Sequence, residues 1–252
     1  VERLLRLVTR VYGDFGMKPE MKLSTRPPEF LGTVETWDRA EADLKRALDA
    51  ADEVYTIDEG DGAFYGPKID FDVTDAIGRK WQCATIQLDY MQAERFNLTY
   101  VGSDNAEHRP VIIHRAIFGS FERFIALLIE HFAGVWPLWL APVQAVVLPI
   151  SDRHLAYAGA VRDQLEAAGL RVELDERPEK IGYKIREAQL QKVPYMLVIG
   201  DREVADGAVS VRSRSAGDLG ARPVDAFAEA AREEIETKAL HPAGVPADKQ
   251  PA

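Results

Sequence analysis

The sequence contains little cysteine and no long apolar run, and both absences narrow the class of protein. Cys83 is the only cysteine among 252 residues, so the chain forms neither an internal disulfide nor a zinc site of several thiolates, which fits a reducing compartment. No apolar run approaches the roughly 18 residues that a membrane span needs. Residues 1–16 lack a signal-peptide layout because charges interrupt their apolar positions. We therefore expect a cytoplasmic protein without a membrane association.

The chain as a whole also has fewer basic than acidic residues. Lysine and arginine number 31 against 41 aspartate and glutamate, and the net charge of -10 argues against nonspecific binding of nucleic acid over the whole surface. The balance reverses locally, because residues 177–214 carry eight basic and five acidic side chains, a net of +3. This segment could contact phosphates despite the acidic total.

The pattern of apolar residues predicts two domains and a tail, and the fold class α+β. In residues 1–140, the alternating runs "KIDFDVTDAI" and "WQCATIQLDY", joined by "GRK", predict an antiparallel hairpin. In residues 141–240, the order β-α-β-α-β-β and a final helix predict an α/β domain with a mostly parallel, mixed sheet. The proline-rich residues 241–252 are predicted to be disordered.

A charged pair stands before an apolar helix in "GSFERFIALLIE". Arg123 carries a planar fork of donors that suits phosphate or stacks on a flat base, although a surface ion pair with Glu122 would explain it equally well. Gly119 and Ser120 lack bulk, so a ligand could approach the backbone beside the arginine. The stretch is therefore a candidate nucleotide site.

Two further stretches offer polar groups to a ligand. "FYGPKIDF" combines Tyr65, a Gly-Pro turn and Lys68 at the start of a strand. Gln82 and Gln87 lie on the strand "WQCATIQLDY", and their odd separation points them to opposite faces of the sheet unless a bulge intervenes. One of the two glutamines could therefore be solvated.

Several segments occur together in one order and spacing: "AFYGPKIDF", "RKWQCATIQLDY", "PVIIHRAIFGSFERF", "WLAPVQAVVLPI" and "EKIGYKIREAQLQKVPYMLVIGD". Together they resemble the C-terminal portion of threonyl-tRNA synthetases over residues 20–240. "GSFERF" resembles the third signature motif of class II synthetases, and the other segments favour the threonine enzymes over their prolyl, seryl and histidyl relatives. The resemblance implies a partial class II catalytic core on an antiparallel sheet, without the first and second motifs, followed by an anticodon-binding domain.

The resemblance implies that five residues of the first domain bind ATP and threonine, with Lys68 nearby: Tyr65, Gln82, Gln87, Ser120 and Arg123. Arg123 would lie against the adenine and phosphates, and Lys68 could offset negative charge at the reacting centre, so these two are the catalytic candidates. Gln82 would reach the nucleotide part of the adenylate, while Tyr65 and Gln87 would line the amino-acid pocket. Mg²⁺ would bridge the phosphates, as is usual with ATP.

His114 resembles one ligand of the zinc site of these synthetases, which uses one cysteine and two histidines. Zinc with open positions can bind the amino and hydroxyl groups of threonine and thereby reject valine, which has no hydroxyl. The other two ligands belong upstream of Val1 in the family, so one Zn²⁺ ligand is expected here. Free cysteine is usually a buried hydrophobe, and Cys83 is not expected to ligate the metal.

In the second domain, Lys180, Glu203 and Arg212 match residues that approach the anticodon in the family. The alternative for each is a solvated surface charge. Pro178 stands where relatives often carry asparagine, and proline has no side-chain donor. We therefore expect one base contact to be lost or made by another group.

The function that the resemblance implies is that of a threonine–tRNA ligase. It would activate threonine with ATP to threonyl-adenylate and transfer it to tRNA(Thr), acting as a homodimer when intact. Because the first and second motifs are missing, we expect a fragment that does not activate threonine at a useful rate by itself. Two alternatives stay open: a non-catalytic RNA-binding paralogue that kept the anticodon domain, and a synthetase for another amino acid.

Overall fold

The computed structural model describes residues 1–241, so most of the predicted tail at 241–252 lies outside the described residues. The chain divides into two compact units, Val1–His131 and Phe132–Ala252. The domain boundary expected at residues 140 and 141 falls shortly after the start of the second unit. Within residues 1–241, no helix is both long and apolar enough to cross a membrane.

The first unit contains a five-stranded sheet in the order β2-β1-β3-β4-β7. Its strands are β1 (Glu20–Ser24), β2 (Tyr55–Asp58), β3 (Lys68–Thr74), β4 (Lys80–Asp89) and β7 (Ile112–Ala116), and a small pair adds β5 (Tyr100–Val101) and β6 (Glu107–His108). The helices are α1 (Glu2–Asp14), α2 (Val34–Ala50), α3 (Met91–Arg95) and α4 (Phe121–His131). β1 and β2 run parallel, and every other pairing in the five-stranded sheet is antiparallel.

The two faces of this sheet differ because apolar and polar residues alternate along its strands. On β3, Ile69, Phe71 and Val73 are buried and point to one face, with Ile86 and Leu88 of β4 on the same side. The opposite face carries the polar positions of the strands. An antiparallel sheet of this kind can present one face to a ligand, and the candidate site lies on that polar face.

The second unit is a five-stranded mixed sheet in the order β12-β11-β10-β8-β9. The elements in chain order are β8 (Ala145–Pro149), α5 (Leu155–Ala167), β9 (Val172–Leu174), α6 (Ile181–Leu190), β10 (Tyr195–Ile199), α7 (Asp201–Asp206), β11 (Ala208–Ser213), β12 (Gly217–Pro223) and α8 (Val224–Glu236). β8 pairs parallel with β9 and β10, whereas β10–β11 and β11–β12 are antiparallel.

Apolar clusters cover both faces of the second sheet. The larger cluster includes Leu165 of α5 and Phe227 of α8, and the smaller one joins Leu148, Met196 and Ala188 of α6 on the other side. The parallel strands β8, β9 and β10 all end at one edge, and the loops after such carboxyl ends commonly form binding sites in α/β sheets. The predicted RNA-binding residues belong partly to these loops.

Candidate functional site

A β-bulge decides where the two glutamines of β4 point. Asp72 pairs with Gln82, whereas Phe71 pairs with Ala84, so Cys83 is the extra residue on β4. The bulge changes the alternation of side chains along the strand. Gln82 Nε2 consequently donates to Asp70 Oδ1 at 2.6 Å, and Gln87 pairs with Lys68 on the same face. Both glutamines therefore face the polar side of the sheet.

A set of contacts joins Tyr65, Gln87 and His114 on this polar face. The Tyr65 hydroxyl donates to Gln87 Oε1 at 2.7 Å, and Gln87 pairs with His114 across β4 and β7. The rings of Tyr65 and His114 meet edge to face with their centroids 5.8 Å apart. Burial, followed by the charge of Asp89, raises the pKa of Tyr65, so its phenol stays protonated and can donate.

His114 is held by a buried carboxylate. Its Nε2 lies 2.8 Å from Oδ2 of Asp89, whose side chain is fully buried. A histidine that gives one ring N–H to a carboxylate presents its other nitrogen to a metal, and zinc-binding histidines are commonly oriented in this way. The surroundings of His114 thus suit one zinc ligand. Asp89 was not predicted as a site residue, although an acidic residue at the end of the apolar run "IQLD" is a signal that could have found it.

The glycine of "FYGPKIDF" keeps Tyr65 close to β4. A Cβ atom added at Gly66 would lie 1.8 Å from the carbonyl oxygen of Leu88, so no other residue fits without a backbone shift. The Leu88 amide donates to the carbonyl of Pro67 at 3.1 Å, which holds the turn against the strand. The Gly-Pro turn therefore positions the phenol of Tyr65 beside Gln87.

Lys68 is engaged by two carboxylates. Its Nζ lies 2.6 Å from Asp70 Oδ2 and 3.0 Å from Asp61 Oδ2. Burial alone would lower the pKa of Lys68, but the hydrogen bonds to Asp70 and Asp61 outweigh it and raise that pKa, so the ammonium stays charged. Asp70 is buried and binds both Lys68 and Gln82, so it links these two side chains on the polar face. A ligand would compete for Lys68 with Asp61, the more exposed partner.

Arg123 lies in the first turn of α4 and bonds to the backbone. Its amide donates to Ser120 Oγ at 3.2 Å, and its Nη1 donates to the carbonyl of Gln82 at 2.8 Å. The guanidinium carbon also lies 5.6 Å from the ring centroid of Trp81. Gly119 is left-handed (φ +73°), and a Cβ there would approach the Cys83 carbonyl to 3.0 Å. The predicted residues Gln82, Ser120 and Arg123 therefore come together.

A small cavity of about 130 Å³ opens beside Arg123, between β4 and α4. Trp81 forms part of its wall, and Arg79 stacks on the same ring with its guanidinium carbon 5.3 Å from the centroid. Arg79 is fixed by Asp75, whose Oδ2 lies 2.6 Å from its Nε. This pair of arginines on one tryptophan was not predicted, although the alternation in "GRKWQ" was an available signal.

The described residues do not form a complete metal site. Within residues 1–241, no group of three or more His, Cys, Asp or Glu side chains could hold a metal ion. Cys83 is 3% exposed and its thiol lies against the Tyr12 hydroxyl. Burial raises the pKa of this thiol, so it stays protonated and is a poor ligand. The described residues therefore supply His114 as a single fitting ligand.

In the second unit, Lys180 and Glu203 follow the carboxyl ends of β9 and β10. Lys180 is the N-cap residue of α6, and no side chain caps that helix. Glu203 Oε2 accepts from the Gly200 amide at 2.9 Å, which fixes its carboxylate at the start of α7. Pro178 lies in the loop between β9 and Lys180. The structure therefore brings these predicted residues to one edge of the sheet.

Arg212 lies within β11, on the face of the sheet that α6 covers. It pairs with Met196 in β10, three residues before the end of that strand. Its Nη1 donates to Asp218 Oδ2 at 3.2 Å, whereas its Nε is buried without a hydrogen-bond partner among the described residues. An unsatisfied buried donor costs free energy, on the order of 1–3 kcal/mol. Arg212 is thus not a fully solvated surface charge.

A histidine links the loops that follow β8 and β10. His154 is 3% exposed, and its Nε2 lies 2.9 Å from Asp201 Oδ1. The hydrogen bond from His154, opposed by burial and aided by the charge of Arg153, lowers the pKa of Asp201. This contact fixes the start of α7, where Glu203 lies, and was not predicted.

The family model described as the tRNA synthetase class II core domain (G, H, P, S and T) matches residues 1–132. The chain belongs to the class II tRNA synthetases. A second model, described as an anticodon binding domain, matches residues 144–234. The predicted fold class, a partial class II core followed by an α/β anticodon-binding domain, is therefore confirmed.

Individual relatives narrow the match within class II. The chain is 58% identical to the threonine–tRNA ligase of Symbiobacterium thermophilum over 240 residues, which cover 95% of this chain and 37% of that protein. It is 55% identical to the corresponding ligase of Natranaerobius thermophilus over 236 residues, or 94% and 37% of the two chains. The predicted resemblance to threonyl-tRNA synthetases is confirmed, and the chain spans little more than a third of these curated relatives.

A solved structure agrees with the sequence comparison. The crystal structure of the RNA binding domain of threonyl-tRNA synthetase from Cryptosporidium parvum superposes with a TM-score of 0.87 at 41% identity. The match covers 96% of this chain and 60% of that one.

Proposed function

We propose that this chain is part of a threonine–tRNA ligase, which activates threonine with ATP to threonyl-adenylate and transfers the threonyl group to tRNA(Thr). The observation that carries the proposal is the contact set of Tyr65, Gln87 and His114 on one polar face. A protein that only binds RNA has no use for these contacts or for the buried Asp89 behind them. They favour a synthetase over a non-catalytic paralogue.

The amino-acid pocket is proposed to lie over Tyr65 and Gln87. His114 would be one of the Zn²⁺ ligands, with Asp89 holding its ring in the required orientation. Zinc, when bound, would take the amino and hydroxyl groups of threonine and so exclude valine. Tyr65 keeps its proton and can donate to a substrate once it leaves Gln87 Oε1.

The ATP site is proposed to lie at Gln82 and Arg123. Arg123 is already beside the Gln82 carbonyl, and its exposed guanidinium can turn to a nucleotide by giving up one hydrogen bond. Ser120 fixes the helix start that carries it. Lys68 and Mg²⁺ would offset phosphate charge, and catalysis would come from positioning and charge stabilisation.

The second unit is proposed to bind the anticodon of tRNA(Thr) through Lys180, Glu203 and Arg212. Glu203 has one oxygen engaged by the Gly200 amide, which leaves the other to accept from a base. We assign residues 1–140 to the catalytic domain and 141–240 to the anticodon-binding domain. The intact enzyme is proposed to be a cytoplasmic homodimer.

The first experiment is a titration of the chain with tRNA(Thr) at one fixed salt concentration, because phosphate contacts make affinity depend strongly on salt. The control RNA is the same tRNA with its anticodon bases changed. We expect tight binding to the native tRNA and a large loss with the altered anticodon, since base edges carry the specificity. Equally weak binding of both RNAs would contradict the assignment of the anticodon site.

A further inference from the structure

An exposed aromatic ring lies at the start of α6, beside the proposed anticodon residues. Tyr183 is 46% exposed, and its amide donates to the carbonyl of Lys180 at 2.9 Å. The other large residues of this part of the helix, Ile181 and Ile185, pack against the apolar cluster beneath α6. The ring of Tyr183 therefore contributes little to the core and faces outward.

The ring is held from one side by an arginine that is itself fixed. The guanidinium carbon of Arg177 lies 5.9 Å from the ring centroid of Tyr183. Arg177 binds Asp175 through two bonds, Nε to Oδ1 at 2.9 Å and Nη2 to Oδ2 at 2.7 Å. The carbonyl of Asp175 in turn accepts from the buried ammonium of Lys184 at 2.9 Å. This series of contacts anchors the ring to the core, so binding a ligand there costs little ordering entropy.

The local charge favours a neutral, flat ligand over a phosphate. The charge of Arg177 is balanced by Asp175, and Glu176, Glu179 and Glu187 are neighbours in the loop and on the helix. A phosphate would meet these carboxylates, whereas a nucleobase carries no charge and stacks on aromatic rings. Only unpaired bases expose their faces, and RNA loops supply such bases.

We propose that Tyr183, backed by Arg177, is the platform on which one base of the anticodon loop stacks. The inference rests on the proposed anticodon-binding function and adds a specific residue to it. Stacking needs no side-chain hydrogen bond, so this contact supplies affinity although Pro178, five residues earlier in the chain, cannot donate. Tyr183 holds the base in place while other groups read its edge.

The test compares Tyr183→Phe and Tyr183→Leu in the full chain, with binding to an anticodon stem-loop RNA measured at one salt concentration. Phenylalanine keeps the ring and should bind within about twofold of the unchanged chain. Leucine keeps apolar bulk without the ring and should weaken binding by about five- to a hundredfold, the range measured for loss of one stacked base. Leu190→Ala, at an exposed residue of the same helix, is the matched control and should leave binding unchanged.

Stem-loops that lack one base at a time separate stacking from a structural effect. The penalty of Tyr183→Leu should disappear for a single abasic position and persist for the others, because only the stacked base couples to the ring. A penalty that persists with every abasic RNA, or an equal loss with Tyr183→Phe, would overturn the inference. If the unchanged chain binds the stem-loop and Tyr183→Leu binds equally well, the inference fails while the proposed function stands. If the unchanged chain does not bind, both fail.

Discussion

The substitution Gly66→Ala tests how the turn "FYGPK" positions Tyr65 in the proposed amino-acid pocket. The added Cβ would lie 1.8 Å from the Leu88 carbonyl oxygen, and Cβ atoms essentially never approach another heavy atom within 3.0 Å, so the turn must move by about 1.2 Å. That movement breaks the bond from the Leu88 amide to Pro67, now 3.1 Å, and separates the Tyr65 hydroxyl from Gln87, now 2.7 Å away. One lost hydrogen bond costs about 1 kcal/mol, and an unsatisfied buried amide costs about 1–3 kcal/mol more.

We therefore expect Gly66→Ala to lower the free energy of unfolding of the first unit by about 2–4 kcal/mol. Urea titration would measure this loss, and hydrogen exchange in peptides covering residues 80–89 would show faster exchange at Leu88. Gly13→Ala is the matched control, because it lies in α1 with nothing within 4 Å of the added Cβ. It should stabilise the unit by about 0.5–1 kcal/mol. A loss below about 0.5 kcal/mol for Gly66→Ala, with unchanged exchange at Leu88, would refute the reasoning.

Three further predictions concern stability and binding. Leu197→Ala, at a fully buried residue of β10, should destabilise the second unit by about 2–5 kcal/mol in urea titration, and a loss below 1 kcal/mol would contradict its central place in the core. Glu203→Ala should weaken RNA binding and also lower the thermal stability of the second unit. Glu203→Gln should weaken RNA binding alone, because the amide oxygen of glutamine still accepts from the Gly200 amide. An equal loss of thermal stability in both variants would argue against the role of this hydrogen bond at the start of α7. Burial would raise the pKa of Asp75, but hydrogen bonds from Trp81 and Arg79 outweigh burial and lower that pKa. The contribution of the Asp75 carboxylate to the stability of the first unit is therefore complete above about pH 4 and is lost as pH falls further. Asp75→Asn should therefore make the stability of the first unit less dependent on pH below about 4, and unchanged acid unfolding curves would exclude this contribution.

The regular parts of the fold could be predicted because local patterns determine them. The hairpin of β3 and β4 alternates apolar and polar residues on both sides of a short turn. The second unit contains the predicted strands and helices in their predicted order, with the short helix α7 added between β10 and β11. β12 was not predicted, because "GDLGARP" contains two left-handed glycines and a terminal proline, which disfavour a strand. Its pairing with β11 stabilises the strand, and that pairing is a tertiary contact that local sequence does not show.

The site was predicted less completely than the fold. The residues taken from the resemblance, including Gln82, Gln87 and His114, lie on one polar face, but the bulge at Cys83 that turns Gln82 toward it has no sequence signal of its own. The anchoring carboxylates Asp70 and Asp89 were also missed. In a half-buried strand, an acidic residue such as Asp70 is normally expected to be solvated, so its burial could be learned only from the structure.

The missed carboxylates matter because the proposed ligand is an anion. A face that binds ATP cannot present several unpaired carboxylates, since each would repel the phosphates and would itself be costly to bury. On the polar face, each buried carboxylate of β3 and β4 has a partner within 2.8 Å. The pairs are Asp70 with Lys68, Asp72 with Lys22 and Asp89 with His114. The two lysines thus balance charges of the protein before they meet a ligand, and His114 forms a hydrogen bond with Asp89. The guanidinium of Arg123 donates to the backbone carbonyl of Gln82 and has no carboxylate partner among the described residues. It is therefore the cation that we propose for ATP, because a charge that no carboxylate neutralises is the one that can bind phosphate most strongly.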